Sequence, residues 1–471
     1  MLITLVADAL TAHGLAAPTL NVLTPDVNNY SVLLLQPHGQ IEASAAGVRN
    51  RDRALAEDQF GQFLRRAHEL QVDLSITPEY SMPWDVLIGA IKAGTAPATG
   101  KIWALGCESI QYTRLKEIKQ DLAERAIVVF EDLGDEPARF TDPLAYVFAT
   151  ERTDGTGARM VVLVQFKTHP MGDDDHFEIN GLQRGNCVYR FGPPAQSIGL
   201  ISLICSDVFG FLDQHAEAVY DRGLTIHIQL NPKPRHEQYR LYRDRLLRFQ
   251  GDATELICLN WARNVCEWSS DHEKRWSNIA ASAWYLKSDR FDDRDAPLCA
   301  NHLKGFYYTW FRQHRAHAMF FNYDPAMFLL QASKVAHLGV AAAVSRRRGP
   351  QVTNTFTWNS EDRKWIEQSE ARDGFDEVLA ESGSAGDELR RICGTSPLAV
   401  ERVVALCAGR ITAGESWHDV RSLDSCMIDA TEIIRRITFC QDTSEEATAF
   451  RIERLRRCGH LFEIRRQEES F

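Results

Sequence analysis

Ser197-Ile-Gly-Leu-Ile-Ser-Leu-Ile-Cys-Ser-Asp207 is an apolar run of buried-strand length that stops on a thiol, a hydroxyl and a carboxylate. Beyond it the chain turns at Phe209-Gly210-Phe211. A strand tip holds a nucleophile rigidly, and the turn after it can aim backbone N–H groups at a developing oxyanion. A lone buried cysteine is more often inert packing, so Cys205 needs company before it means chemistry.

Two further apolar runs each deliver one ionisable group. Val72-Asp-Leu-Ser-Ile-Thr-Pro-Glu79 ends on a carboxylate, and Val161-Val-Leu-Val-Gln-Phe-Lys167 ends on an amine. Taken singly, Glu79 reads as a cap for a helix after Pro83 and Lys167 as an edge-strand gatekeeper. Together with Cys205 they supply an attacking thiol, a proton-transferring carboxylate and an ammonium for a tetrahedral oxyanion.

With these residues in this order, the stretch from about Tyr30 to about Lys334 resembles the nitrilase superfamily of carbon–nitrogen hydrolases. Ser31-Val-Leu-Leu-Leu-Gln36 is similar to the family's opening strand, and Pro78-Glu79, Lys167 and Cys205-Ser206-Asp207 to its triad. Phe177-Glu178 followed by Arg184-Gly185 resembles the segment that carries an accessory glutamate. His227-Ile-Gln-Leu-Asn-Pro232 and Leu259-Asn-Trp-Ala-Arg-Asn264 look like the strands flanking the site, and Ser277-Asn-Ile-Ala-Ala-Ser282 like a small-residue strand. The resemblance implies Glu79, Lys167 and Cys205 as catalytic residues, Glu178 as an accessory, and the Ser206 N–H in the oxyanion hole. Tyr80, Trp84, Asn231 and Arg235 are candidate substrate contacts. Cys-Ser-Asp is closer to the amidase and carbamoylase pattern than to true nitrilases, although Ser206 stands where an aromatic is usual. An amide or ureido substrate is expected, with Arg235, Arg243 and Arg245 available for an anionic group.

Bulk properties agree with an enzyme. The 471 residues allow one large domain and a smaller one. A net charge of -11 weighs against nucleic acid as a partner. Eleven scattered cysteines without a Cys-x-x-Cys pair suggest neither a disulfide framework nor zinc, and reduced thiols fit a cytoplasmic location. No signal peptide, membrane span, metal or cofactor is expected. Asp173-Asp-Asp175 reads as a solvated loop rather than a metal site, with His169 and His176 beside it.

Strands alternating with helices place the chain in the α/β class; the resemblance implies a four-layer α-β-β-α sandwich. Helices are predicted over 52–70, 213–221 and 236–256, with short strands at 102–106 and 126–130. Phe306 to Lys334 is aromatic-rich and reads as strands and core, with some surface for a homodimer or larger homo-oligomer. The expected organisation is a hydrolase domain over 1–344, a linker over 345–369 around Arg346-Arg-Arg348, and an all-helical domain over 370–471. In that tail, 387–393 and 397–407 are spaced like a helix-turn-helix, though any two-helix corner looks the same. A second functional reading follows from the tail: a partner-dependent effector or scaffold that uses the hydrolase fold for oligomerisation or sensing. A caspase- or papain-like protease is disfavoured by the absence of a local signature around the cysteine.

Overall fold

The computed structural model describes residues 1–26, 28–172, 177–192, 198–231, 237–248, 253–263, 265–269, 272–275, 282–287, 307–311, 316–322, 324–336, 349–368, 379–380, 382–393, 403, 407 and 445–470. The chain divides into two units, 1–281 with 324–368 and 282–323 with 369–471. It is a mixed α/β protein with several sheets.

The first unit carries a nine-stranded sheet. Its order is Lys364–Glu367, Gln351–Asn359, Ala326–Ser333, Asn29–Gln36, Leu74–Met82, Ile102–Cys107, Pro143–Glu151, Ala158–Phe166 and Ala126–Phe130. Every residue of Leu74–Met82 and Ile102–Cys107 is buried, which explains why they read as apolar runs without alternation. The helix Arg53–Glu69 lays Ala56, Phe60, Phe63, Leu64 and Ala67 into one core with Leu33, Leu35 and Trp103. Asp52 caps it by accepting the Leu55 N–H at 3.0 Å.

Five strands of the same unit run Leu2–Leu5, Cys187–Phe191, Gly199–Ile204, Gly223–Ile228 and Thr254–Leu259. The last three are parallel neighbours, again buried throughout. Residues of these strands meet the nine-stranded sheet directly. Gln165 donates to the Ser202 carbonyl at 2.9 Å, and the Tyr146 and Phe191 rings lie 4.8 Å apart. A small sheet of His272–Arg275, Cys266–Ser269, Gln40–Ser44 and Gly47–Asn50 completes the unit.

Two expectations change. The helix predicted over 236–256 is Glu237–Arg248, and Thr254–Leu259 is a strand. The apolar run at its end belongs to a buried parallel strand, whose periodicity resembles that of a buried helix. The stretch taken as a linker holds two strands, Gln351–Asn359 and Lys364–Glu367, paired onto Ala326–Ser333. Its Thr, Val, Phe and Trp residues suit an edge strand despite the polar composition. Trp365 anchors it, donating its indole N–H to the Gln59 carbonyl at 3.1 Å.

In the second unit, Ala283–Lys287, Ala316–Phe320 and Tyr307–Phe311 pair antiparallel, in line with strands in the aromatic-rich segment. The helices Ser384–Cys393 and Glu445–Glu469 bury Leu389, Leu455 and Phe462. Apart from the buried Val403 and Cys407, the helix-turn-helix candidate beyond Cys393 lies outside the described residues, as does Arg346-Arg-Arg348. Among the described residues, no helix is long and apolar enough to cross a membrane.

Candidate active site

The three strand-end groups converge. Glu79 lies within Leu74–Met82, Lys167 directly follows Ala158–Phe166, and Cys205 directly follows Gly199–Ile204; all three are buried. Lys167 Nζ donates to Glu79 Oε1 and to Glu178 Oε1, both at 2.7 Å. Glu178 Oε1 also accepts the Tyr80 hydroxyl at 2.8 Å, and its Oε2 accepts the Met171 N–H at 2.6 Å. Glu79 Oε2 accepts the Leu230 N–H, and the Glu79 carbonyl accepts the Trp261 indole N–H at 2.8 Å. The glutamate is thus fixed from both of its strand's neighbouring environments before any substrate arrives.

Close approach at Glu79 depends on Gly106 on the adjacent strand. A Cβ there would sit 2.1 Å from the Pro78 carbonyl oxygen and 2.9 Å from Glu79 Cα. Tyr80 takes a left-handed φ of 54°, which breaks the strand's alternation and brings its hydroxyl to Glu178 beside its neighbour Glu79.

Cys205 has a left-handed φ of 39° and opens a 3-10 turn through Phe209. A non-glycine residue at positive φ is costly, and such strain collects at functional sites. Asp207 holds the turn. Its Oδ2 accepts the Ile204 N–H at 3.1 Å, while Oδ1 accepts Thr168 N–H (2.7 Å), Thr168 Oγ1–H (2.8 Å) and His169 N–H (3.1 Å). Ser206 Oγ donates to the His169 carbonyl at 2.6 Å. The Cys205 turn is therefore tied to the segment after Lys167. Burial raises the Asp207 carboxyl, against the pull of those hydrogen bonds.

Behind the turn, His227 Nε2–H donates to the Cys205 carbonyl at 3.0 Å. Its Nδ1 then accepts from the Tyr242 hydroxyl and from Gln229 Nε2, the latter at 2.8 Å. Burial pushes the His227 imidazole down to about 3, so it is neutral.

The electrostatics centre on Lys167. Burial alone would lower it, but the Glu178 and Glu79 charges, foremost, hold it well above the usual lysine range. Burial raises the Glu79 carboxyl, opposed by Lys167 and reinforced by Glu178. Asp142, which escaped the sequence reading, sits with Oδ2 3.4 Å from Lys167 Nζ and is fully buried. Glu79, Asp142 and Glu178 each place an oxygen within 4.8 Å of the others. This carboxylate trio has the ligand types of a cation site, but the Lys167 ammonium already fills the role of cation.

The remaining candidates fall differently. Glu178 joins the cluster through Lys167 Nζ. Tyr80 enters it as a support for Glu178 rather than as an exposed substrate contact. Trp84 is in the hydrophobic core, its indole N–H donated to the Glu108 carbonyl at 2.9 Å. Asn231 is buried beside Leu230 and donates its N–H to Asn260 Oδ1 at 3.1 Å. Arg245 is engaged with the Phe211 carbonyl at 2.7 Å and with Asp213 at 3.0 Å. Arg235, His176, Asp173-Asp-Asp175 and Ser277 to Ala281 lie outside the described residues.

The chain matches no family model and no curated protein. Among solved structures it is similar to a glutamine-dependent NAD+ synthetase from Acinetobacter baumannii bound to ADP, at 11% identity and a TM-score of 0.35. That match covers 81% of this chain and 56% of the other, so this chain spans little more than half of that protein's length. A glutamine-dependent NAD(+) synthetase from Cytophaga hutchinsonii matches at 7% identity and a TM-score of 0.33, covering 81% and 51%. An amidase from Nesterenkonia sp. matches at 14% identity and a TM-score of 0.32, covering 54% of this chain and 81% of its own. In its structure the chain is thus similar to an amidase of the nitrilase superfamily as well as to NAD+ synthetases.

Proposed function

We propose that this chain is a thiol-dependent hydrolase of carbon–nitrogen bonds other than peptide bonds, acting on an amide or ureido compound. The observation that carries the reading is the buried Lys167 ammonium bridging Glu79 and Glu178 at 2.7 Å, with the Cys205 turn bound to its strand through Asp207.

In this mechanism Glu79 takes the proton of the Cys205 thiol as sulfur attacks the amide carbon. The tetrahedral oxyanion is met by the Lys167 ammonium and the Ser206 N–H, each such donor contributing about 3 kcal/mol. Glu79 returns its proton to the departing amine, leaving a thioester. It then removes a proton from water, which attacks the thioester carbon and releases the acid and the thiol. These side chains suffice without a cofactor. The same reading takes the two large sheets of the first unit as the centre of a four-layer α-β-β-α sandwich, and the tail as a helical domain. It places a homo-oligomer in the cytoplasm, with the tail free to take a protein partner.

The test is intact-protein mass spectrometry of wild type and Cys205→Ala after brief, acid-quenched exposure to amides, ureido acids and nitriles. An added acyl mass on the wild type alone, mapped to Cys205, is the expected result. Absence of both adduct and product across the panel would overturn the reading.

A further inference from the structure

Four ionisable groups share the buried pocket around Lys167: one ammonium and three carboxyl groups. Their hydrogen bonds are unequal. Glu178 accepts from Lys167 Nζ, the Tyr80 hydroxyl and the Met171 N–H, and Glu79 accepts from Lys167 Nζ and the Leu230 N–H. Both have the donors an anion requires. Among the described residues, Asp142 has no N–H or O–H donor on either carboxyl oxygen, only the 3.4 Å approach of Lys167 Nζ. An ionised carboxylate so placed would be buried, unsolvated and beside two other anions.

A carboxyl oxygen of Asp142 and one of Glu79 lie within 4.8 Å of each other in this buried cluster. Two carboxylates have nothing to donate, so a hydrogen bond between them requires a proton on one. We propose that Asp142 keeps its proton at neutral pH and donates it to the Glu79 carboxylate, acting as a positioning residue that holds Glu79 ionised as the base. The groups facing Asp142 are Glu79 and Tyr80 from Leu74–Met82, Cys107 from Ile102–Cys107, Lys167, and Glu178. Burial first, then the Glu79 charge, drives the Asp142 carboxyl well above the carboxylate range, with Lys167 opposing. A neutral Asp142 also leaves the ammonium less fully neutralised, and so better able to meet an oxyanion. The role rests on the reading of Glu79 as the proton-transfer group; the protonation of Asp142 itself does not need a substrate to be observed.

The experiment is infrared spectroscopy of the full chain at pH 7, comparing the protonated-carboxyl C=O band of wild type, Asp142→Asn, Glu79→Gln and Cys205→Ala. The band should be present in wild type and Cys205→Ala and lost in Asp142→Asn. It should also weaken in Glu79→Gln, because removing the Glu79 charge lets Asp142 ionise against Lys167. No band in wild type, or a band that survives Asp142→Asn, overturns the proposal. If the asparagine variant does not fold, an undiminished band in Glu79→Gln overturns it equally.

Alkylation of Cys205 by iodoacetamide across pH supplies the functional readout without any substrate. Asp142→Asn should match wild type at neutral pH and exceed it only where Asp142 ionises in alkali. If Asp142 were already an anion at pH 7, the same variant would speed alkylation about tenfold or more at that pH, and the proposal would fail. A chain that hydrolyses nothing yet shows the band and this profile would sink the hydrolase reading while leaving the protonated Asp142 standing.

Discussion

His227 donates its Nε2–H to the carbonyl oxygen of Cys205 across the parallel pairing of Gly199–Ile204 with Gly223–Ile228. The Cys205 peptide is thereby held in its left-handed conformation by a neutral imidazole from the next strand. Because the imidazole titrates near about 3 in the folded chain and near 6.5 when unfolded, the unfolded state binds the extra proton first as pH falls. Stability should drop from about pH 6.5 downward by about 1.4 kcal/mol per unit from this group. Urea titrations at pH 7 and pH 4.5 check it: His227→Gln should be less stable than wild type at pH 7 and should lose less on acidification.

Glu79→Gln keeps the hydrogen bond acceptor for Leu230 but cannot carry a proton. Turnover on whichever amide proves to be the substrate should fall about 10²–10⁴-fold with the fold intact. Circular dichroism alongside kinetics separates this from misfolding.

Lys167→Met has a different signature. It leaves buried carboxyl groups around an absent cation, which costs about 3–5 kcal/mol when one partner of a buried pair is removed. The expected result is a chain that melts well below wild type, read by calorimetry, in addition to lost activity.

Gly106→Ala tests the approach of strands at the base. Its Cβ would overlap the Pro78 carbonyl at 2.1 Å, so the strand bearing Glu79 must shift. Overpacking of this kind costs about 1–3 kcal/mol, and the displaced carboxylate should lower activity out of proportion to that loss. Thermal melts and kcat measured on the same preparation decide it.

Asp207→Asn puts an amide where four donors converge, so the donors opposite the new N–H₂ lose their acceptor. The loss expected is about 1–3 kcal/mol, and the Cys205 turn loosens with it. Slower iodoacetamide labelling of Cys205 at fixed pH, with the protein still folded, is the specific readout.

Glu79, Lys167 and Cys205 stand out in the sequence because each is an ionisable or thiol group ending or interrupting a largely apolar, buried strand. Such a residue has to be housed among its like. Asp142 does not stand out, since Thr141-Asp142-Pro143 reads as a turn before a strand. It reaches Lys167 only through the antiparallel pairing of Pro143 with Phe166, and accepts the Lys167 N–H on its carbonyl at 2.9 Å. Pairing of that kind leaves no trace in local periodicity. His227 was read only as part of a flanking strand, because nothing nearby in sequence marks the carbonyl it serves. Trp84 failed as a substrate contact for the opposite reason: closeness to Glu79 along the chain did not survive the turn of the helix Trp84–Lys92 into the core.

Glu79 belongs to one sheet by its backbone and meets Lys167 from that same sheet, yet two further groups that grip it, Leu230 N–H and the Trp261 indole, follow strands of the other. Neither sheet alone supplies every contact that positions Glu79. On the proposed function, catalytic competence is consequently a cooperative property of their docking, and activity in rising denaturant serves as a reporter of that docking. It should vanish along the same curve as the fluorescence of buried Trp261, with no active intermediate between folded and unfolded chain.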